Sequence, residues 1–315
     1  MVALLDHKTL ISKPSLFRAL TGVEASEFNS IYARVLAKYE ESEEKRLARD
    51  DRKRKVGAGH PFTLPLQERL LTFLMYYRVY ATSALLGFLF GVDQSNVIKD
   101  IHKLEPLLKS ILPTPQKVYG RVKQLQTLQE IQAMFPELKA FTDATEQQIP
   151  RPQRKLKRKT HYSGKKKRHT VKTQLTVNSQ GLIVHKTRHA KGSMHDYALF
   201  KRGHPDLPKK VKEEFDLGYV GVKGDFPGLN CAVPFKKKNP GRGKVGVKAE
   251  ELSEEQKAFN KELASERVVS EHTNSRLKKF LIWGGIFRNR PRCYDVMTDI
   301  VSGLVNFRIL GTLTV

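Results

Sequence analysis

Apolar residues recur at helical spacing through the first third of the chain, and the period changes near residue 138. From Ser15 to Leu47, the residues Phe17, Leu20, Phe28, Tyr32, Val35, Leu36 and Tyr39 predict a helix. The mixed-charge run Glu40 to Lys55 reads as its solvated end, and Val56-Gly57-Ala58-Gly59-His60-Pro61 as a break. Leu66 to Tyr80 predicts a second helix, and Ala81-Thr82-Ser83 caps a third, Ala84 to Phe90. Gly91-Val92 makes a turn, after which Asp93 caps a helix running from Gln94 to Leu104. A helix, a glycine-containing turn and a capped helix form the helix-turn-helix pattern. Beyond Leu138 strands are predicted: Leu138 to Thr145, a strand ending in Asp143, and His169 to Val177, with Val171, Leu175 and Val177 on one face. Asn178-Ser179-Gln180-Gly181 is a turn, and Leu182 to His189 is the returning strand. A helix near Tyr197 to Lys201, a short strand near Asp216, a long helix from Ser253 through Phe280 and a helix over Tyr294 to Leu310 complete the pattern.

Composition narrows the class. A length of 315 residues favours two domains, divided here as 1–115 and 116–315. No stretch approaches the ~20 apolar residues of a membrane span, and Met1 to Asp6 lacks the regions of a signal peptide. Cys231 and Cys293 stand far apart without paired spacing, which disfavours a disulfide framework or a zinc site and fits a reducing cytoplasm. The histidines His185, His189 and His195 make no transition-metal motif. Charge is the strong bulk signal: 57 Lys and Arg against 32 Asp and Glu give +25 at pH 7, which points to a polyanion, most often nucleic acid. On the helix after Asp93, Gln94, Ser95 and Asn96 suit base edges, while Lys99 and Lys103 suit phosphates. Arg151 to Lys172 carries eleven Lys or Arg and no acid, Lys165, Lys166, Lys167 and Arg168 among them, and reads as a phosphate-binding surface. Lys236-Lys237-Lys238 with Arg242 to Lys248 forms a second basic loop.

The long helix carries the sharpest chemical pattern. Arg267, Glu271 and Lys278 are spaced so that all three fall within ~40° of one another on a helix. An acid between two long cations suits a partner that is both metal-bound and anionic. Asp143 in Phe141-Thr142-Asp143-Ala144-Thr145 and Asp216 in Phe215-Asp216-Leu217-Gly218-Tyr219 could complete such a site. Each acid also has a plain structural use: Asp143 and Asp216 as turn caps, Glu271 as the helical partner of Arg267. Glu146, past the predicted strand end, and Asp225, in a loop before Pro227, are set aside. Asp196 is a candidate support for the site.

Five segments in order carry a resemblance. They are Thr142 to Glu146 through Arg151-Pro152, His161 to Lys172, Gly192-Ser193-Met194-His195-Asp196, Asp216-Leu217-Gly218-Tyr219, and the Arg267, Glu271, Lys278 helix. Together they resemble the DDE transposases of bacterial insertion sequences, in the group related to eukaryotic Harbinger elements. Ser15 to Gly22 and the helix-turn-helix resemble the DNA-binding part of the same enzymes. The Tyr that related families carry three residues before the Arg is replaced by Ala264.

The resemblance implies an RNase H-like fold, a mixed α/β sheet flanked by helices, preceded by an all-α helix-turn-helix domain. It implies two Mg²⁺ ions, with Mn²⁺ as a substitute, held by Asp143, Asp216 and Glu271. Phosphodiester cleavage by such a pair, ~3.5–4 Å apart, calls for shared carboxylates. Asp143 would bridge both ions, Asp216 and Glu271 would each anchor one, and Arg267 and Lys278 would act on phosphate. The partners implied are double-stranded DNA, as transposon ends and target, and a second copy of the chain, because transposition joins two ends. The alternatives are a non-catalytic DNA-binding descendant of such an enzyme and a nuclease that cuts without joining.

Overall fold

The computed structural model describes residues 3–48, 62–237 and 251–313. The Gly57 break, the end of the run to Lys55, Lys238 and the stretch Arg242 to Lys248 lie outside the described residues. The chain forms two compact units, residues 1–114 with 277–315, and residues 115–276.

The first unit is helical. It begins with α1 (His7–Ile11), α2 (Pro14–Thr21), α3 (Ala25–Leu47), α4 (Leu66–Val79), α5 (Ser83–Phe90) and α6 (Gln94–Ile111). The single helix predicted over Ser15 to Leu47 is broken at Gly22, whose positive φ of 81° ends α2. The helix-turn-helix forms as expected: Thr82 caps α5 by accepting from the Leu85 N–H, Gly91 closes it at φ 68°, and Asp93 caps α6 by accepting from the Ser95 N–H at 2.8 Å. Arg69, fully buried, orients α6. Its Nε donates to Asp100 at 2.7 Å, and its guanidinium lies over the Phe62 and Tyr39 rings.

The C-terminal segment belongs to this unit and not to the sheet. Its helix Tyr294–Leu310 is as predicted, and is buried from Met297 to Phe307. Asn306 Nδ2 donates to the Pro113 carbonyl at 3.0 Å, Lys109 pairs with Asp299 at 2.8 Å, and Gly303 leaves room for Leu112. Trp283 is buried in the core.

The second unit is a mixed sheet with flanking helices. Its helices are α7 (Pro115–Val122), α8 (Leu128–Met134), α9 (Lys155–His161), α10 (Asp196–Gly203), α11 (Val222–Asp225) and α12 (Glu254–Lys278), of which α12 extends through Arg276 in this unit. Its strands are β1 (Lys139–Gln148), β2 (Tyr162–Ser163), β3 (Arg168–Asn178), β4 (Ile183–Lys186), β5 (Ala190–Lys191), β6 (Lys212–Glu214) and β7 (Cys231–Ala232). The order is β2-β3-β1-β6-β7, with β4 and β5 also pairing β3. β1 and β3 are antiparallel, whereas β1, β6 and β7 run parallel, which is the mixed sheet that the resemblance implies. β1 and β3 lie at the centre. Residues 170–178 are buried on both faces, so the apolar alternation of Val171, Leu175 and Val177 records only one of them. The other face carries Thr and Gln, and a polar seam runs from Thr176 through Thr142 to Glu213. Glu213 is fully buried, and burial pushes its carboxyl up to about 8, so it serves as a neutral hydrogen-bonding group.

Candidate active site

Asp143 sits in the middle of β1, not at the strand's end, because the strand continues through Thr145 to Gln148 on polar residues that pair with β3. Glu146 is therefore within the strand, opposite Lys172, and not beyond it. Asp216 lies two residues past β6. It accepts from the Gly218 N–H at 2.8 Å and caps the 3-10 turn Leu217–Tyr219, so the capping use is realised. Phe215 and Tyr219, both fully buried on either side of it, pack with Phe200 and Val222 and fix that turn against α10.

The two aspartates feel each other. Burial raises the Asp143 carboxyl above the ordinary carboxylate range. The Arg267 cation opposes this, and the negative charges of Asp216 and Asp196 add to it. The Tyr219 phenol is also pushed up, by burial first and then by the charges of Asp143, Asp196, Asp216 and Glu213. Its hydroxyl is buried and has no hydrogen-bond partner among the described residues.

Asp196, the first residue of α10, is held by a buried cation. Lys172 Nζ contacts Asp196 Oδ1 at 2.6 Å, the Met194 carbonyl at 2.7 Å and Glu146 Oε1 at 3.5 Å, while Thr170 donates to Glu146 Oε2 at 2.8 Å. Gly192 makes this corner possible: a Cβ there would lie 2.0 Å from Thr170 Oγ1. His195 caps α10 by accepting from the Tyr197 N–H, a local role that keeps it out of the carboxylate cluster. Asp225 ends a short helix, not a loop, and pairs with Lys201 and Tyr197 on the surface.

α12 is tied to the sheet by Glu266 to Lys139 at 2.7 Å, Thr273 to the Gly181 carbonyl at 3.2 Å, and Asn274 Nδ2 to Asp143 Oδ2 at 3.2 Å. Leu263, Ser270 and Thr273 are its buried side chains in this unit. Arg267 and Asn274 stand at the border of that stripe. Arg267 Nε and Asn274 Oδ1 are buried without a hydrogen-bond partner among the described residues. Glu271 points further round the helix and is exposed. Lys278 lies in the last turn of α12, in the segment grouped with the helical unit.

The structure thus brings Asp143, Asp216 and Arg267 together and leaves Glu271 on the solvent flank. Among the described residues no three His, Cys, Asp or Glu side chains lie close enough to hold a metal ion. The two aspartates nevertheless fit a hard divalent cation in kind: they are oxygen donors whose mutual repulsion a cation would relieve, beside a buried amide oxygen that lacks a donor. Asn274 went unmarked in the sequence, Lys172 was read there only as part of the basic stretch, and Glu146 was set aside. Asn274 was legible as the residue seven after Arg267, on the same line of the helix.

Of the residues assigned to DNA, Gln94, Ser95, Asn96 and Lys99 are exposed at the start of α6. Lys103 is instead engaged within the helical unit, with Glu43 at 2.6 Å and the Tyr39 and Phe62 rings. The basic stretch after β1 contains an unpredicted helix, α9, and its Lys165, Lys166, Lys167 and Arg168 are exposed where β2 turns into β3. No helix among the described residues is long and apolar enough to cross a membrane.

Residues 142–306 match the family described as DDE superfamily endonuclease, and residues 62–114 match the helix-turn-helix of DDE superfamily endonuclease. The chain is 30% identical over 294 residues to a probable transposase for insertion sequence element IS702 from Microchaete diplosiphon, a match covering 93% of this chain and 94% of the relative. No solved structure matches.

Proposed function

Since the chain belongs to the DDE superfamily endonucleases, we propose that it is a DNA transposase that cuts at the ends of an insertion sequence and joins them to target DNA. The observation that carries the proposal is the buried Asp143 carboxyl, which feels the charges of Asp216 and Arg267 together. The residues proposed to hold Mg²⁺ are Asp143, Asp216 and Glu271. Divalent ions held there would supply Lewis-acid activation of the attacking hydroxyl and charge stabilisation of the leaving oxygen. Asn274 orients Asp143 through its amide hydrogen. Arg267 supplies a fixed positive charge for the phosphodiester. Lys278 is proposed as a further phosphate contact. The exposed start of α6 is proposed to read the terminal DNA, and Lys165 to Arg168 to hold its backbone. Two copies of the chain acting on two ends follow from the joining step.

Asp143→Asn, Asp216→Asn and Glu271→Gln should each abolish Mg²⁺-dependent cleavage of end DNA, while DNA affinity stays within a few-fold of the parent. Retained cleavage removes that residue from the set. A second reading, DNA binding without catalysis, draws on the position of Glu271 outside the aspartate cluster. Mg²⁺-dependent nicking by the parent protein excludes it.

A further inference from the structure

The helical unit holds a cleft of about 570 Å³ that neither the helix-turn-helix pattern nor the carboxylate cluster accounts for. One wall is the flank of α6 at Ile98 and His102, and another is the start of α5 at Thr82 and Ser83. The third wall comes from the C-terminal segment, about 190 residues later in sequence, with Arg288, Arg290 and Arg292 on it.

This third wall is latched in place. The Arg288 guanidinium lies over the Tyr80 ring, 4.2 Å from its centroid, and also donates to the Tyr80 carbonyl. The Arg288 N–H donates to the Tyr80 hydroxyl at 2.7 Å, and Asn289 Oδ1 accepts from the Tyr76 hydroxyl at 2.8 Å. Tyr80 ends α4 at φ 56°, a left-handed conformation that a tyrosine rarely adopts, and the latch bonds both its backbone and its side chain. With Arg288 and Asn289 committed, Arg290 and Arg292 remain exposed, and neither has an acidic partner among the described residues. Glu105, the acid lining the cleft, is engaged by the Tyr77 hydroxyl at 2.9 Å and by His102.

We propose that Arg290 and Arg292 form a phosphate-binding site for the DNA backbone, built by the C-terminal segment beside the helix that reads the bases. The proposal rests on the reading that the helical unit binds DNA. Ile98 and His102 follow the exposed Ser95 by three and seven residues and so share its face of α6, and a duplex lying on that face would pass its backbone over the arginines. Two planar forks on a latched strap suit phosphate oxygens, and such contacts set register and affinity without reading sequence.

The test is a salt titration of binding by the full-length chain to a random-sequence 30-bp duplex, a probe chosen because a phosphate site ignores sequence. Removing both contacts with R290Q/R292Q should flatten the slope of log K against log salt by roughly 1.8, since each phosphate contact contributes ~0.9. R290K/R292K should retain most of the slope, and the melting temperature of both variants should match the parent. Salt-dependent binding by the parent with an unchanged slope in R290Q/R292Q overturns the inference alone. A parent that fails to bind the duplex overturns the DNA-binding reading and the inference with it.

Discussion

Glu213 shows how one side chain ties the sheet to solution conditions. It lies fully buried beside Thr142, the residue before Asp143, and its carboxyl is raised from an ordinary 4.5 to about 8 by burial. Between those values the unfolded chain has lost this proton and the folded chain keeps it. The group's contribution to stability is therefore complete below pH 4.5, falls as pH rises, and levels off above about 8. Glu213→Gln keeps the shape and a hydrogen-bonding group but removes the proton. Its melting temperature, compared with the parent from pH 5 to 9, should decline less. Parallel profiles for the two proteins would show that Glu213 is not protonated in the fold. Glu214 titrates in the same direction, raised to about 7 by burial and then by Glu266, so the difference between the two proteins is the informative quantity.

At the scale of the element, α6 divides its lysines between two tasks. Lys99 is exposed near the start of the helix, where a duplex would lie. Lys103, one turn later, is half-buried against Glu43, Tyr39 and Phe62. Lys99→Ala should lower the salt slope of DNA binding by roughly 0.9 and leave the melting temperature in place. Lys103→Ala should do the reverse, lowering stability by about 1 kcal/mol because Glu43 keeps Arg46 but loses its second cation and the Tyr39 and Phe62 rings lose their covering ammonium, with little change in slope. Thermal melts beside binding titrations on both variants check this, and a slope change in Lys103→Ala would return it to the DNA surface. Both lysines were assigned to phosphate from the sequence. Only the packing of α3 on α6 separates them, and nothing in the spacing of α6 reports the position of Glu43.

The whole molecule depends on a segment far from its partners in sequence. The helix Tyr294–Leu310 completes the core of the helical unit, with Met297, Ile300, Val301, Leu304, Val305 and Phe307 all buried. At ~1.5–3 kcal/mol per fully buried side chain, these six match the whole stability of an ordinary domain, ~5–15 kcal/mol. Residues 1–114 alone should therefore lack a cooperative thermal transition, and the same residues joined by a flexible linker to 277–315 should recover one. A sharp transition in 1–114 by itself would show that the C-terminal helix is dispensable. DNA recognition by an N-terminal fragment depends on the same condition.

Local order was legible in the sequence because local physics produces it. The caps at Thr82 and Asp93, the glycine turn at Gly91, the strand of Val171, Leu175 and Val177 and the helix Tyr294–Leu310 follow from spacing, capping and turn chemistry within a few residues. The ordered motifs containing Asp143, Asp216 and Arg267 were equally visible, and so was the family. Long-range pairing alone decided the rest. The helical period aligned Arg267, Glu271 and Lys278 with one another, but a helix wheel has no absolute zero. Glu266, Thr273 and Asn274 fixed which side of α12 faces the sheet, through bonds to Lys139, Gly181 and Asp143. Glu146 joined the strand because Lys172 lies opposite it on β3. The C-terminal helix joined the helical unit because the apolar flank of α6 needed cover. Each of these outcomes depends on the free energy of burying groups distant along the chain, and a pattern read along the chain does not contain their positions.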